Sequence, residues 1–221
     1  MLLLLDLDNT LIDRDAAFRA AAAAFLAEHG LAADDLDWLM AVDASGYTPR
    51  DEVAAALAGR GAPAAAVERF LGNGGADRVS LAEPVRAALA DARAEGRATV
   101  IVTNGRVDQQ TAKIRNCGLD QVVDGWVVSE SVGHKKPSPE IFRAAAAMAG
   151  RPLSSGWMIG DSAHADIGGA CALGLRSTWI SLGRTWAETA FHPSHIEADV
   201  ADAIRRAGHP RFPALRRGLA D

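Results

Sequence analysis

Cysteine is scarce in this 221-residue sequence. Cys117 and Cys171 are the only two, and they lack the spacing of a disulfide framework. Proteins stabilised by disulfides occur in oxidising compartments, whereas two cysteines without disulfide spacing are typical of a protein from a reducing compartment. The sequence therefore predicts a cytoplasmic protein.

Excess basic charge and long apolar stretches are absent as well. The formal net charge is −5, so the chain lacks the basic surface that binds nucleic acid. No stretch is long and apolar enough to predict a membrane span. The opening leucines end at Asp6 and follow no basic segment, which argues against a signal peptide. We therefore expect neither a nucleic acid nor a membrane as partner.

Aromatic residues are few, at 5%, but hydrophobic residues make up 49% of the chain. Many of these are alanines, which favour helices and bury little area each. A core can still be built from them. The length suits one domain with an insertion, or two small domains.

An acidic pair follows the first apolar run. Leu2 to Leu5 predicts a buried strand that continues into a loop at Asp6-Leu7-Asp8-Asn9-Thr10. Asp6 and Asp8 are two residues apart, so their side chains point to the same side of an extended chain. They repel each other unless a cation lies between them or one holds a proton. The pair alone also fits a strand that ends in a solvated turn.

Residues 14 to 78 carry helical patterns and no strand pattern. Thr48 and Pro49 form a strong helix start, with Thr48 as N-cap and Pro49 at the first helical position. Gly72 to Gly75 breaks the helical pattern. The predicted helices of this block are 16–29, 34–44, 49–58 and 63–71.

Beyond residue 79 helices and strands alternate. We predict strands at 98–102, 125–129, 156–159 and 176–181, with a short edge strand at 196–200. We predict helices at 83–95, 107–117, 138–149, 163–173 and 200–207. Alternation of this kind predicts an α/β fold with a parallel sheet between two helical layers. The helical block, residues 14–78, is then an insertion into a core of residues 1–13 and 79–221, and residues 209–221 form a surface tail.

Polar side chains follow several of these strands. In a parallel sheet, the first strand would bring Asp6 and Asp8 to the same edge as Thr103, Asn104 and Asp161. The carboxylates of Asp6, Asp8 and Asp161 are hard oxygen ligands suited to Mg²⁺, and Asp166 can add to them. The side chain of Lys136 adds one positive charge to this set. With a divalent ion bound, such a set becomes a site that attracts a phosphoryl group.

These residues resemble the four motifs of the haloacid dehalogenase (HAD) superfamily of aspartate-nucleophile hydrolases, in the family's order. The resemblance implies a Rossmann-like, three-layer core, and the helical block matches the family's α-helical cap. It covers most of the chain outside residues 14–78. The motifs stand here as Asp6-Leu7-Asp8-Asn9-Thr10-Leu11, Thr103-Asn104-Gly105, Lys136 in Lys135-Lys136-Pro137, and Gly160-Asp161-Ser162-Ala163-His164-Ala165-Asp166.

The resemblance also implies roles for these residues. Asp6 would be the nucleophile that forms an aspartyl-phosphate, and Asp8 the general acid and base. Lys136 would neutralise charge at the reacting centre. Thr103, Asn104 and Gly105 would bind the phosphoryl oxygens of the substrate.

The metal set implied by the resemblance is Asp6, Asp8, Asp161 and Asp166. Asp6 and Asp161 would bind Mg²⁺ through carboxylates, and Asp8 would face it with its backbone carbonyl. For Asp166 three roles stay open: direct ligation, ligation through water, or orientation of Lys136.

Other residues narrow the chemistry that the resemblance implies. The haloacid dehalogenases themselves lack an acid at the place of Asp8, so its presence favours phosphate substrates. Phosphonate hydrolysis in the family uses a cap lysine, and residues 14–78 contain none. Gln110, Lys113 and the segment Ser129 to Gly133 resemble the branch of pyrimidine 5′-nucleotidases and N-acylneuraminate-9-phosphatases.

We therefore predict a Mg²⁺-dependent phosphatase that hydrolyses a small phosphorylated metabolite, of nucleotide or sugar phosphate type, through an aspartyl-phosphate. The alternatives are a sugar-phosphate mutase of the same superfamily and a non-catalytic HAD-like binding protein. A monomer and a homodimer are both compatible with the sequence.

Overall fold

A computed structural model describes residues 1–208 of the chain. Its strands form one six-stranded sheet in the order β3-β2-β1-β4-β5-β6, and every neighbouring pair is parallel. The predicted tail, residues 209–221, lies outside the described residues. The strands are β1 Leu2–Leu5, β2 Ala98–Thr103, β3 Gly125–Val128, β4 Gly156–Gly160, β5 Arg176–Ile180 and β6 His195–Glu197.

Helices surround this sheet and also form a separate group between β1 and β2. The helices of that group are α1 Arg14–Glu28, α2 Asp35–Asp43, α3 Arg50–Gly59 and α4 Ala64–Asn73. The remaining helices are α5 Glu83–Ala94, α6 Val107–Asn116, α7 Ser129–Val132, α8 Pro139–Met148, α9 Gly169–Ala172 and α10 Val200–Arg206.

The first strand lies at the centre of the sheet and is buried on both faces. Leu3 and Leu5 pack into one hydrophobic cluster, with α5 and α10. Leu2 and Leu4 point to the other face and pack into a second cluster, with α8. An apolar run without alternation is what a strand covered on both faces requires. The predicted α/β fold, with a parallel sheet between helical layers, is confirmed.

The helices α1 to α4 build a hydrophobic cluster of their own. Phe18, Phe25 and Phe70 belong to it, and the ring centroids of Phe25 and Phe70 are 4.6 Å apart. Alanines on α1 allow this close helix packing, because their small side chains leave room for the rings of the facing helix. Ala17, at the start of α1, instead joins the cluster that covers the sheet.

Most predicted boundaries differ from the observed ones by one or two residues, and two strand predictions need a fuller correction. Ser129 does not end β3 but begins α7, and its hydroxyl accepts a hydrogen bond from the Gly105 backbone N–H at 3.0 Å. The predicted edge strand at 196–200 lies at His195–Glu197 instead. Residues 200 onward are helical because the Asp199 side chain caps α10 by accepting from the backbone N–H of Asp202.

Two helix predictions also need correction. Thr48 is not the N-cap of α3, because Pro49 has an extended backbone (ψ 139°) and the helix begins at Arg50. The predicted helix at 163–173 is not a continuous α-helix. It begins with a π-helical turn, Ala163–Gly168, and continues as the short α9. Turns of this type are frequent at functional sites.

Within residues 1–208, no helix combines the length and the apolar character that crossing a membrane requires.

Candidate active site

The carboxyl ends of the central strands open into one large cavity. Asp6 follows β1, Thr103 ends β2 and Asp161 follows β4, and all three line this cavity. Its volume is about 1280 Å³, and Tyr47 and Arg50 line it from the helical block. Ligands of open parallel sheets bind at this edge, so the cavity is the candidate active site.

Three carboxylates meet at the floor of the cavity. Asp6, Asp161 and Asp166 each place one carboxylate oxygen within 4.8 Å of the others, and all three residues are buried. The π-helical turn brings Asp166 into this group, since both Asp166 N–H and Ile167 N–H donate to the Ser162 carbonyl. The Ser162 N–H in turn donates to Asp166 Oδ2 at 3.0 Å.

Lys136 supplies a positive charge to this cluster. Its Nζ donates to Asp6 Oδ1 at 2.6 Å and to the Val102 carbonyl at 2.6 Å. The same nitrogen lies 2.8 Å from Asp166 Oδ1. Asn104 fixes the lysine backbone, because its amide accepts from Lys136 N–H at 2.8 Å and donates to the Lys136 carbonyl at 3.1 Å. The contact between Asp166 and Lys136 is compatible with orientation of Lys136, one of the three roles left open for Asp166.

Lys136 together with the partly exposed Arg184, which pairs with Asp161, does not fully neutralise three buried carboxylates. Burial is the largest cause that raises the pKa of Asp6 to about 8. The negative charges of Asp166 and Asp161 also raise this pKa, whereas the positive charge of Lys136 lowers it. Burial and Asp166 raise the pKa of Asp161 to about 7, with Arg184 and Lys136 opposing. Burial opposes the charge of Lys136, but Asp166 and Asp6 raise its pKa above the ordinary value. The cluster therefore favours an additional cation.

The donor set fits a hard divalent cation. It consists of carboxylate oxygens alone, without the nitrogen or sulfur ligands that softer metals prefer. Asp6, Asp161 and Asp166 are the residues that can hold such an ion here.

The carboxylate of Asp8 takes no part in this cluster. It accepts hydrogen bonds from Lys113 Nζ at 2.7 and 2.9 Å and from Gln110 Nε2 at 2.9 Å. Gln110 Nε2 also donates to Thr103 Oγ1 at 2.6 Å. The sequence pointed to Gln110 and Lys113 only as a likeness to one branch of the family, and gave them no role at the site.

Gly105, predicted to bind substrate, has a backbone that only glycine adopts easily. Its φ is 147°, and a Cβ there would lie 3.0 Å from Gln110 Cγ. The turn allows Gln110 to approach Thr103, and the Gly105 N–H is taken by Ser129 Oγ. Any larger residue would strain the backbone and crowd the Gln110 side chain.

Three arginines at the site make contacts that were not predicted. Arg14 pairs through both terminal nitrogens with the fully buried Asp43, and Arg50 Nη1 donates to the same carboxylate at 3.0 Å. Arg184 Nη2 donates to the carbonyl of Asp161 at 2.8 Å and to its Oδ2 at 3.2 Å. Arg14 and Asp43 are 29 residues apart and Arg184 and Asp161 are 23 apart, while Arg50 lies seven residues after Asp43 but on a different helix. No local sequence pattern pointed to these pairs.

A family model supports the resemblance found in the motifs. The model for haloacid dehalogenase-like hydrolases matches residues 1–174. The chain belongs to this family.

Curated HAD relatives match this chain over part of their length. Phosphoserine phosphatase of Thermus thermophilus is 35% identical over 106 residues, which cover 48% of this chain and 43% of the relative. Pyrimidine 5'-nucleotidase YjjG of Escherichia coli is 34% identical, covering 42% and 45%. N-acylneuraminate-9-phosphatase of Homo sapiens is 35% identical, covering 47% and 42%. The chain thus spans less than half the length of these relatives.

Solved HAD structures share the fold over nearly the whole chain. The HAD hydrolase YfnB of Bacillus subtilis superposes with a TM-score of 0.75 at 24% identity, covering 93% of this chain and 98% of its own. A HAD phosphatase from Thermococcus onnurineus superposes with a TM-score of 0.67 at 18% identity, covering 96% and 99%. At these identities the likeness is one of fold.

Proposed function

We propose that this HAD-family protein is a Mg²⁺-dependent phosphatase that hydrolyses a small phosphate monoester through an aspartyl-phosphate on Asp6. The observation that carries the proposal is the position of Asp6 between Lys136 and two further buried carboxylates. The phosphatase and nucleotidase names of the curated relatives support the same chemistry.

The nucleophile is held at both oxygens. Asp6 Oδ1 accepts from Lys136 Nζ, and Asp6 Oδ2 accepts from Thr10 Oγ1 at 3.1 Å. A carboxylate fixed in this way can approach phosphorus without losing orientational freedom at the moment of reaction. In the first step an Asp6 oxygen forms a bond to phosphorus, and the bond from phosphorus to the leaving oxygen breaks. Asp8, which must carry a proton when substrate binds, gives that proton to the leaving oxygen and becomes a carboxylate.

The second step returns the enzyme to its starting state. Asp8, now a carboxylate, takes a proton from a water molecule that attacks the phosphorus of the aspartyl-phosphate. The bond between phosphorus and Asp6 breaks, and inorganic phosphate leaves. Asp6, Asp161 and Asp166 would hold Mg²⁺, which would supply positive charge to offset the negative charge on the phosphoryl oxygens. Lys136 contributes the same kind of stabilisation from the protein itself.

We assign the leaving group to the part of the cavity that faces the helical block. Residues 14–78 would act as a cap on a catalytic core of residues 1–13 and 79–221. Tyr47, Thr48 and Arg50 line the cavity from this block, and Ala54 and Ala58 give it an apolar patch. A wall that mixes apolar and cationic groups suits a nucleotide or a sugar phosphate.

Phosphate release from a panel of nucleotides, sugar phosphates and short acid phosphates tests the proposal. We expect release from one chemical class with Mg²⁺, none with a chelator, and none from Asp6→Asn in either condition. Conversion of a sugar phosphate to an isomer without net phosphate release would instead identify a mutase. Binding without turnover across the whole panel would contradict an enzymatic role.

A further inference from the structure

The carboxylate of Asp8 is held by two side chains of one helix. Gln110 and Lys113 are three residues apart on α6, so they project from the same face toward Asp8. Lys113 Nζ contacts both Asp8 oxygens, and Gln110 Nε2 contacts Oδ2. Both side chains are buried, with 2% and 1% of their surface exposed.

The Asp8 carboxylate does not need these contacts in order to be solvated. The Asp8 side chain is itself 28% exposed, so water alone could satisfy its carboxylate. Burying a lysine costs free energy that surface residues avoid, and a single buried cation is retained only with a partner. Because Lys113 Nζ contacts both carboxylate oxygens of Asp8, it fixes the plane of the Asp8 carboxyl group. Gln110 adds a link to Thr103, at the predicted phosphoryl-binding turn.

We propose that Lys113 and Gln110 are positioning residues that hold the Asp8 carboxyl group in place for proton transfer to the leaving group. The inference rests on the proposed phosphatase function. The two side chains touch Asp8 and not the reacting phosphorus, so their effect on rate passes through Asp8.

The leaving group provides a test. An alkoxide leaves only with a proton, whereas a nitrophenolate is stable as an anion and leaves without one. Loss of proton transfer therefore slows hydrolysis of an alkyl phosphate more than that of p-nitrophenyl phosphate. General acid catalysis is typically worth about 100-fold or more. A merely structural role for Lys113 would lower kcat/KM for both substrates alike.

The experiment compares kcat/KM for p-nitrophenyl phosphate and for the best alkyl phosphate of the panel, with Mg²⁺. We expect Lys113→Met to lose about 10- to 100-fold on the alkyl phosphate and less than about threefold on the aryl phosphate. Gln110→Met should show a weaker form of the same pattern, and Lys113→Arg should recover part of the loss. Arg115→Met, which removes a charge from the exposed side of α6, should match wild type.

A double variant separates positioning from folding. In the background of Asp8→Asn, Lys113→Met should cause no further loss, since both changes act on the same proton transfer. Equal losses on the two substrates, or losses that multiply in the double variant, would overturn the positioning role while leaving the phosphatase function intact. Absence of phosphate release from wild type on every substrate would overturn the proposed function, and the positioning role with it.

Discussion

The Lys136 ammonium lies 2.6 Å from Asp6 Oδ1, although the two residues are 130 positions apart in the chain. It lies 2.8 Å from Asp166 Oδ1 as well, so one cation is shared by two buried carboxylates. Asp161 adds a third carboxylate to the group. This imbalance of charge underlies both the proposed metal requirement and the proposed phosphoryl chemistry.

Replacement of Lys136 by methionine should destabilise the metal-free protein by about 3 kcal/mol, because the change leaves buried carboxylates without their counter-charge. Turnover should fall by about 100-fold or more, since positive charge at the phosphoryl group is lost. Denaturant unfolding and phosphate release measure the two effects. Lys135→Met, at the exposed neighbouring lysine, should change the free energy of unfolding by less than about 0.5 kcal/mol. Equal effects of the two substitutions would contradict the account.

The stability of the metal-free protein should depend on pH through Asp6. The ordinary pKa of an aspartate side chain, 3.8, applies to Asp6 in the unfolded chain. In the folded protein, burial is the chief cause that raises the pKa of Asp6 to about 8. The folded state therefore binds this proton more tightly than the unfolded state, and the resulting stabilisation is lost as pH rises toward 8. Asp6→Asn cannot ionise and avoids the loss.

Thermal unfolding in the presence of a chelator checks this expectation. The Tm of Asp6→Asn relative to wild type should rise between about pH 5 and about pH 8. Saturating Mg²⁺ should reduce the difference, because it stabilises ionised wild type by binding the folded state. A Tm difference that stays constant with pH would contradict the assignment.

Removal of Arg184 should strengthen Mg²⁺ binding. Its guanidinium donates to Asp161 Oδ2 at 3.2 Å, so it places a positive charge beside a proposed metal ligand. The backbone of Asp161 keeps a second anchor, a hydrogen bond from Trp179 Nε1 at 2.8 Å. By isothermal titration calorimetry, Arg184→Leu should bind Mg²⁺ about three- to tenfold more tightly. Arg176→Leu, at the other end of β5, is the control, and weaker binding by the Arg184 variant would refute the prediction.

Substitution of Asp43 should disturb the helical block. The carboxylate is fully buried and accepts from Arg14, Arg50 and the Gly46 backbone N–H. Asp43→Asn leaves two guanidinium groups poorly compensated and should cost about 3 kcal/mol. Asp37→Asn, on the same helix, breaks only an exposed pair with Arg19 and should cost less than about 1 kcal/mol. Urea unfolding distinguishes them, and equal midpoints would show that Asp43 is not structurally important.

The sheet and its polar edge could be predicted from the sequence because each strand is a short apolar run that ends in polar residues. Strands in a parallel sheet share one carboxyl edge, so the predicted strands suffice to place Asp6, Thr103 and Asp161 at the same edge of the sheet. The family resemblance in the motifs added the roles, and the family itself is confirmed by the match over residues 1–174.

Contacts that depend on tertiary packing could not be predicted in this way. Arg14 and Asp43 are 29 residues apart and belong to different helices, and their pairing follows from how those helices pack. The orientation of Asp166 depends on a π-helical turn, whereas hydrophobic periodicity assumes an ordinary α-helix. The contact of Lys113 with Asp8 depends on the angle between α6 and β1, which no local pattern encodes.

Detection of a phosphoryl group on Asp6 is the most direct test of the account. The enzyme would be mixed with Mg²⁺ and p-nitrophenyl phosphate, quenched in acid and digested, and the peptide that contains Asp6 analysed by mass spectrometry. We expect the mass of one phosphoryl group on Asp6, more of it in Asp8→Asn because hydrolysis then lacks its base, and none in Asp6→Asn. Steady turnover by wild type without this adduct, together with full activity of Asp6→Asn, would contradict the central claim.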